Sequence, residues 1–151
     1  MVDNGEELIK FVWDPSDITE EGFVSPSAFR RQDLEALTDG GVSVDRRQLS
    51  ERSVSDCIIS RQRERGEPNS RVHALCSLFV CQALREQRLE NMNLFEVFSS
   101  PTPQTEDLPE NPAHAHISNA TGQRGRAWIQ KLRLRLCQIS SRPMTFDEVY
   151  G

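Results

Sequence analysis

Five consecutive residues late in the chain, Ala113-His114-Ala115-His116-Ile117, alternate small apolar and imidazole side chains without a break. A period of two belongs to an extended strand, with Ala113, Ala115 and Ile117 on one side and His114 and His116 on the other. Alanines on the dry side let a helix or a second sheet approach closely. The pattern therefore commits the chain to a layered fold built on a sheet, with the histidines on the wetter face.

The rest of the chain supplies the other layers. Residues 7–13, ELIKFVW, are rich in β-formers and stop at the turn Asp14-Pro15-Ser16, which predicts a first strand. Ser25-Pro26 reads as an N-cap and first helical residue for a short helix carrying Ala28, Phe29 and Leu34. Asp39-Gly40-Gly41 is a turn, and VSV at 42–44 a short strand. Ser50 is placed to cap an amphipathic helix with Val54, Cys57, Ile58 and Ile59 on its buried face, ended by Gly66-Glu67-Pro68. From Arg71 the alternation of Val72, Ala74, Cys76 and Leu78 predicts a strand, and Cys81, Leu84 and Leu89 a short helix after it. Residues 93–101, NLFEVFSSP, read as another strand leaving into a loop. Residues 99–112 are acidic and proline-rich and read as a long exposed loop. After the loop 118–126, Ile129, Leu132, Leu136 and Ile139 fall at helical spacing, although Leu132, Leu134 and Leu136 also alternate as in a strand. The tail, 140–151, either packs on the body through Met144, Phe146 and Tyr150 or is partly loose. The expected fold is one α+β domain over 1–151, with a mixed or mainly antiparallel sheet of about five strands covered on one side by two or three helices.

A chain of 151 residues suffices for one core, so no second domain is needed. The net charge of −5 argues against coating nucleic acid or an anionic membrane through a bulk field. The longest apolar run, near Ala74 to Leu84, is too short and too interrupted to span a bilayer. MVDNGEELIKFVW carries acids where a secretory leader needs bases, and Cys57, Cys76, Cys81 and Cys137 have no C-x-x-C spacing. These features predict a soluble cytoplasmic protein whose cysteines are buried, inert residues.

Three stretches stand out together: GFVSPSAFRR (22–31), GGVSVDRR (40–47) and NPAHAHI (111–117), the last followed by an arginine-bearing helix. In this combination the chain resembles a family of small bacterial proteins to which no activity is attached. The resemblance implies a bacterial, cytosolic, single-domain protein and supplies no mechanism. Each stretch carries polar groups able to face one cleft: Ser25 and Arg30, then Ser43, Asp45 and Arg46, then His114 and His116. The same residues equally suit three self-capped turns.

Chemistry concentrates at His114 and His116. On one strand face their Cα atoms are about 7 Å apart, close enough for two nitrogens to share a metal, with His73, Asp107 or Glu110 as a third ligand. The plainer reading is a pair of imidazoles bonded to loop carbonyls, and no metal or cofactor is assigned. His116-Ile117-Ser118 matches half of a two-histidine phosphoesterase pattern, whereas His73-Ala74-Leu75 lacks the second hydroxyl. The loop TGQRGR, 121–126, puts two glycines with Arg124 and Arg126 ahead of a helix, a place where an anion can sit. Arg126, Lys131, Arg133 and Arg135 give that helix a basic face. Aromatics for base stacking are sparse there, so a protein partner is expected rather than nucleic acid. The expected role is a small binding or accessory protein acting through protein contacts. The rivals are a small enzyme on a phosphate- or nucleotide-bearing substrate with His114, His116, Arg124 and Arg126 at its centre, and a transferase combining Arg46 with the histidine strand.

Overall fold

The computed structural model describes residues 1–12, 14–65 and 75–151. Along them lie β1 (Glu7–Val12), α1 (Arg31–Glu35), β2 (Val42–Arg46), α2 (Arg52–Arg65), β3 (Leu75–Val80) and α3 (Cys81–Arg85). There follow the ribbon strands β4 (Arg88–Leu89) and β5 (Met92–Asn93), then β6 (Phe95–Ser99), β7 (His114–Asn119), α4 (Arg126–Ile139) and α5 (Phe146–Tyr150). Five strands form one sheet in the order β3-β1-β2-β7-β6, with every neighbouring pair antiparallel. The chain is thus the α+β domain its patterning implies. Trp13, His73 and the helix stop at Gly66-Glu67-Pro68 lie outside the described residues.

The two faces of the sheet differ. One carries Leu8, Val42, Val44, Phe79, Ala115 and Ile117, packed against Leu34 of α1, Leu84 of α3 and Ile129, Leu132 and Leu136 of α4. The helical spacing of α4 prevails over the alternation of its leucines: Leu132 and Leu136 are buried while Leu134 is 46% exposed. The other face is also covered over its β1 and β3 half, where Ile9 and Cys76 meet Val149, Phe146 and Tyr150 of α5. This departs from the expected cover on one side. The reason is in β1, where neighbouring Leu8 and Ile9 are both fully buried and so need apolar partners on opposite faces.

Two local expectations shift. Ser50 does not cap α2; its hydroxyl lies 2.7 Å from the Tyr150 hydroxyl, which also meets Ser55 Oγ at 2.8 Å. The buried stripe of α2 consequently runs through Ser55 and Ile59, while Val54 and Cys57 stay half-buried. In the first turn region Ser25 caps a single 3-10 turn, Pro26–Ala28, and α1 starts afresh at Arg31.

Close approach fixes the middle of the sheet. A Cβ on Gly41 would lie 2.7 Å from the carbonyl carbon of Ile117, so only glycine admits the pairing of β2 with β7. The loop after β6 is closed at its neck by two backbone bonds between Thr102 and Asn111, at 3.0 and 2.9 Å, and residues 101–107 are exposed. At the C-terminus Met144 exchanges two backbone bonds with Cys76, and Thr145 with Glu148 forms a capping box that starts α5. Such a cap stabilises a short helix by about 1 kcal/mol.

Candidate functional site

Strand register gathers the histidine row. Ser43 is opposite His116, Asp45 opposite His114, and Phe98 opposite His116, so all five side chains share the half of the sheet that α5 leaves uncovered. Ala113, Ala115 and Ile117 are fully buried on the other side, as their alternation requires. Just beyond β6, the Ser100 hydroxyl lies 2.9 Å from His114 Nδ1 and 3.0 Å from His116 Nδ1. His114 Nδ1 is also 2.8 Å from the Ser100 carbonyl oxygen. A carbonyl only accepts, so His114 Nδ1 carries the proton and donates it, which leaves the hydroxyl proton free for His116 Nδ1.

His116 is the more confined of the two. Its ring packs on Phe98, 5.5 Å between centroids, and its Nε2 is buried without a hydrogen-bond partner among the described residues. Burial, with the His114 charge in second place, pushes its pKa below the ordinary histidine value. Beside the pair is a cleft of about 170 Å³ lined by Phe11, Ser43, Asp45, Ile58, Asn111 and His114. Asp45 is 4% exposed, and its carboxylate accepts from Asn111 Nδ2 at 3.0 Å. Burial outweighs that bond and raises its pKa.

Not every candidate comes to this place. Ser43 and Asp45 of the second stretch meet His114 of the third, but Arg46 points to the opposite face, paired in register with Leu8. There it forms a two-pronged bridge to Glu6, 2.8 Å from Nε and 2.9 Å from a terminal nitrogen, with the Glu6 side chain only 3% exposed. That guanidinium holds the Glu6 carboxyl below its usual range. Ser25 caps its own turn and Arg30 grips Asp33. Arg124 and Arg126 are exposed beyond the far end of β7, and Arg126 opens the helix that packs on the other face. Two amides of their loop are already used, Thr121 donating to Asn119 Oδ1 and Gln123 to Thr121 Oγ1. Ser118 Oγ is spent on the Gly40 carbonyl at 2.6 Å.

Among the described residues no group of three or more His, Cys, Asp or Glu side chains is placed to hold a metal ion. His73, one proposed third ligand, lies outside them. All four cysteines are free; burial pushes Cys76 up to about 12 and Cys137 up to about 11, so neither is a ready nucleophile.

A second feature lies on the outer side of α4, where the helix and the β4-β5 ribbon enclose a groove of about 240 Å³. Leu89, Trp128, Leu132 and Leu134 supply its apolar lining, and Lys131 and Arg135 its rim. Trp128 is half-buried, its Nε1 donating to Thr121 Oγ1 at 2.8 Å and Lys131 lying 5.7 Å over its ring. Arg135 reaches Gln87 Oε1 at 3.1 Å, and Arg133 the Pro26 carbonyl at 3.0 Å. Among the described residues none of the four cations of α4 forms an ion pair. The basic face was readable from the sequence. The groove was not, since its far wall is a two-residue ribbon; the available signal was Leu134, an apolar residue off the core stripe.

Comparison with known protein families, with curated proteins and with solved structures found no match to this chain.

Proposed function

We propose that the chain is a small binding or accessory protein that works through protein contacts, with the outer face of α4 and the β4-β5 ribbon as its working surface. A bacterial cytoplasmic setting accompanies this reading. The observation that carries it is the groove beside α4, which joins an exposed leucine, a half-buried tryptophan and two cations, Lys131 and Arg135, that form no ion pair among the described residues. Fourteen helical residues anchored by three buried side chains hold that surface in a fixed shape, as an interface core needs. The enzyme reading lacks the convergence it requires: His114 and His116 are tied to Ser100, Arg46 is tied to Glu6, and Arg124 and Arg126 flank the opposite layer.

The test is site-specific photocrosslinking in living cells. A photoreactive side chain at position 134 should give a discrete adduct that is lost on Leu89→Asp, while the same group at position 106 in the acidic loop gives none. Equal adducts from both positions, or none from 134, would end this reading.

A further inference from the structure

We infer that the groove beside α4 receives an acidic amphipathic helix, whose leucine-type anchors fill the space between α4 and the ribbon while its carboxylates meet Lys131 and Arg135. This rests on the reading of α4 as the working surface and adds the chemistry of the occupant. The argument is one of complementarity. Helix α4, RAWIQKLRLRLCQI, has four cations and no acid, in a chain whose net charge is −5. Acidic groups elsewhere in this chain neutralise several of its other arginines, as in the Arg46-Glu6, Arg85-Glu96 and Arg30-Asp33 pairs. Among the described residues Lys131, Arg133 and Arg135 of α4 take neutral partners: amide oxygens of Gln87 and Gln130, backbone carbonyls of Pro26 and Arg88, and the Trp128 ring. Cations held in place without carboxylates are pre-positioned to accept them, at little cost in further ordering.

The apolar half decides between kinds of anion. Leu134 and the part-exposed Leu89 offer aliphatic surface over the buried Leu132, and that surface is desolvated by aliphatic or aromatic side chains arriving at i, i+3 and i+7 on a helix. A single-stranded nucleic acid needs stacking planes. The groove has one aromatic, Trp128, and Lys131 already lies over its ring. Leucines beside a cationic rim fit a peptide better than a phosphate backbone.

The probe is a synthetic helical peptide of about 15 residues, with leucines at i, i+3 and i+7 and glutamates flanking them, titrated calorimetrically into the full chain. Two control peptides replace the glutamates by lysines or the leucines by serines. The glutamate-leucine peptide should bind at least about tenfold tighter than either control, and weaken severalfold between about 50 and about 500 mM salt. Leu134→Glu, at an exposed position that tolerates the change, should abolish binding. Lys131→Glu should reduce it about tenfold and restore affinity for the lysine peptide, a reversal that loss of fold cannot produce.

Equal binding of the acidic and basic peptides, or none of either, overturns the inference. If the position-134 crosslink still forms in that case, the binding-surface reading stands and only the partner class is wrong. A crosslinked RNA, or a second copy of the chain contributing its acidic loop, overturns the inference in the same way.

Discussion

At the scale of single residues, two titratable groups on one sheet face, the buried Asp45 and the half-buried His116, pull stability in opposite directions with pH. Asp45 has its pKa raised by burial, so the folded state favours the protonated acid. Stability from this group is present below the unfolded value of 3.8 and is lost as pH rises through the higher folded value. His116 has its pKa lowered, so its share is present above 6.5 and is lost as pH falls through the lower folded value. Thermal melts across that range should separate them. Asp45→Asn keeps an acceptor for Asn111, and should raise the melting temperature at neutral pH by a few degrees and remove the alkaline arm. His116→Phe, stacked on Phe98, should remove the loss between pH 6.5 and the acid side while leaving the other arm intact. An unchanged acid arm in His116→Phe would assign that loss to another group. The alternation of AHAHI made the outward histidine row legible in advance. Ser100 was not legible, because a serine at the end of a strand followed by proline carries no sign that two imidazoles will turn toward its hydroxyl.

Among elements, β2 and β7 are the pair on which the sheet depends, and Gly41 is the residue that lets them approach. Gly41→Ala should cost about 2 to 3 kcal/mol through collision with the Ile117 carbonyl, measured by chemical denaturation. A neutral effect would mean that the strand entrance can move aside. Short strands were readable where turn residues bracket them, as in Asp39-Gly40-Gly41 before β2 and Asp14-Pro15 after β1. Helix α4 was readable because three buried positions recur at its period. In helix α2 the apolar periodicity points to Ile59, which is buried, but also to Val54, Cys57 and Ile58, which are half-buried. The buried stripe of that helix is set by Ser55, a polar side chain made welcome in the interior by the Tyr150 hydroxyl, and hydrophobic periodicity does not register such a residue.

For the molecule as a whole, the C-terminal tail determines which parts are inside. It seals β3 through the Met144-Cys76 bonds and covers Ile9 with Val149. A chain ending at Ser140 should therefore fold less stably and expose one thiol more than the intact protein to a water-soluble thiol reagent under native conditions. That thiol is Cys76, held up to about 12 in the intact molecule. An unchanged thiol count would show that the sheet closes over Cys76 without its tail. The function of the tail was foreseeable from Met144, Phe146 and Tyr150, but its partner was not, since contacts between residues 76 and 144 leave no local trace.

The strand order leaves β3 and β6 as the borders of the sheet. At β3 the tail takes up the outward backbone groups, Ser141 and Met144 bonding Leu78 and Cys76. At β6 a side chain does so: Glu96 Oε1 accepts from the Val97 amide at 2.8 Å while Arg85 holds the carboxylate in place. An occupied donor beside a fixed charge makes that point of the border less able to pair with an incoming strand. The two borders are thus occupied by different means, the backbone of the tail at β3 and one carboxylate at a single amide of β6.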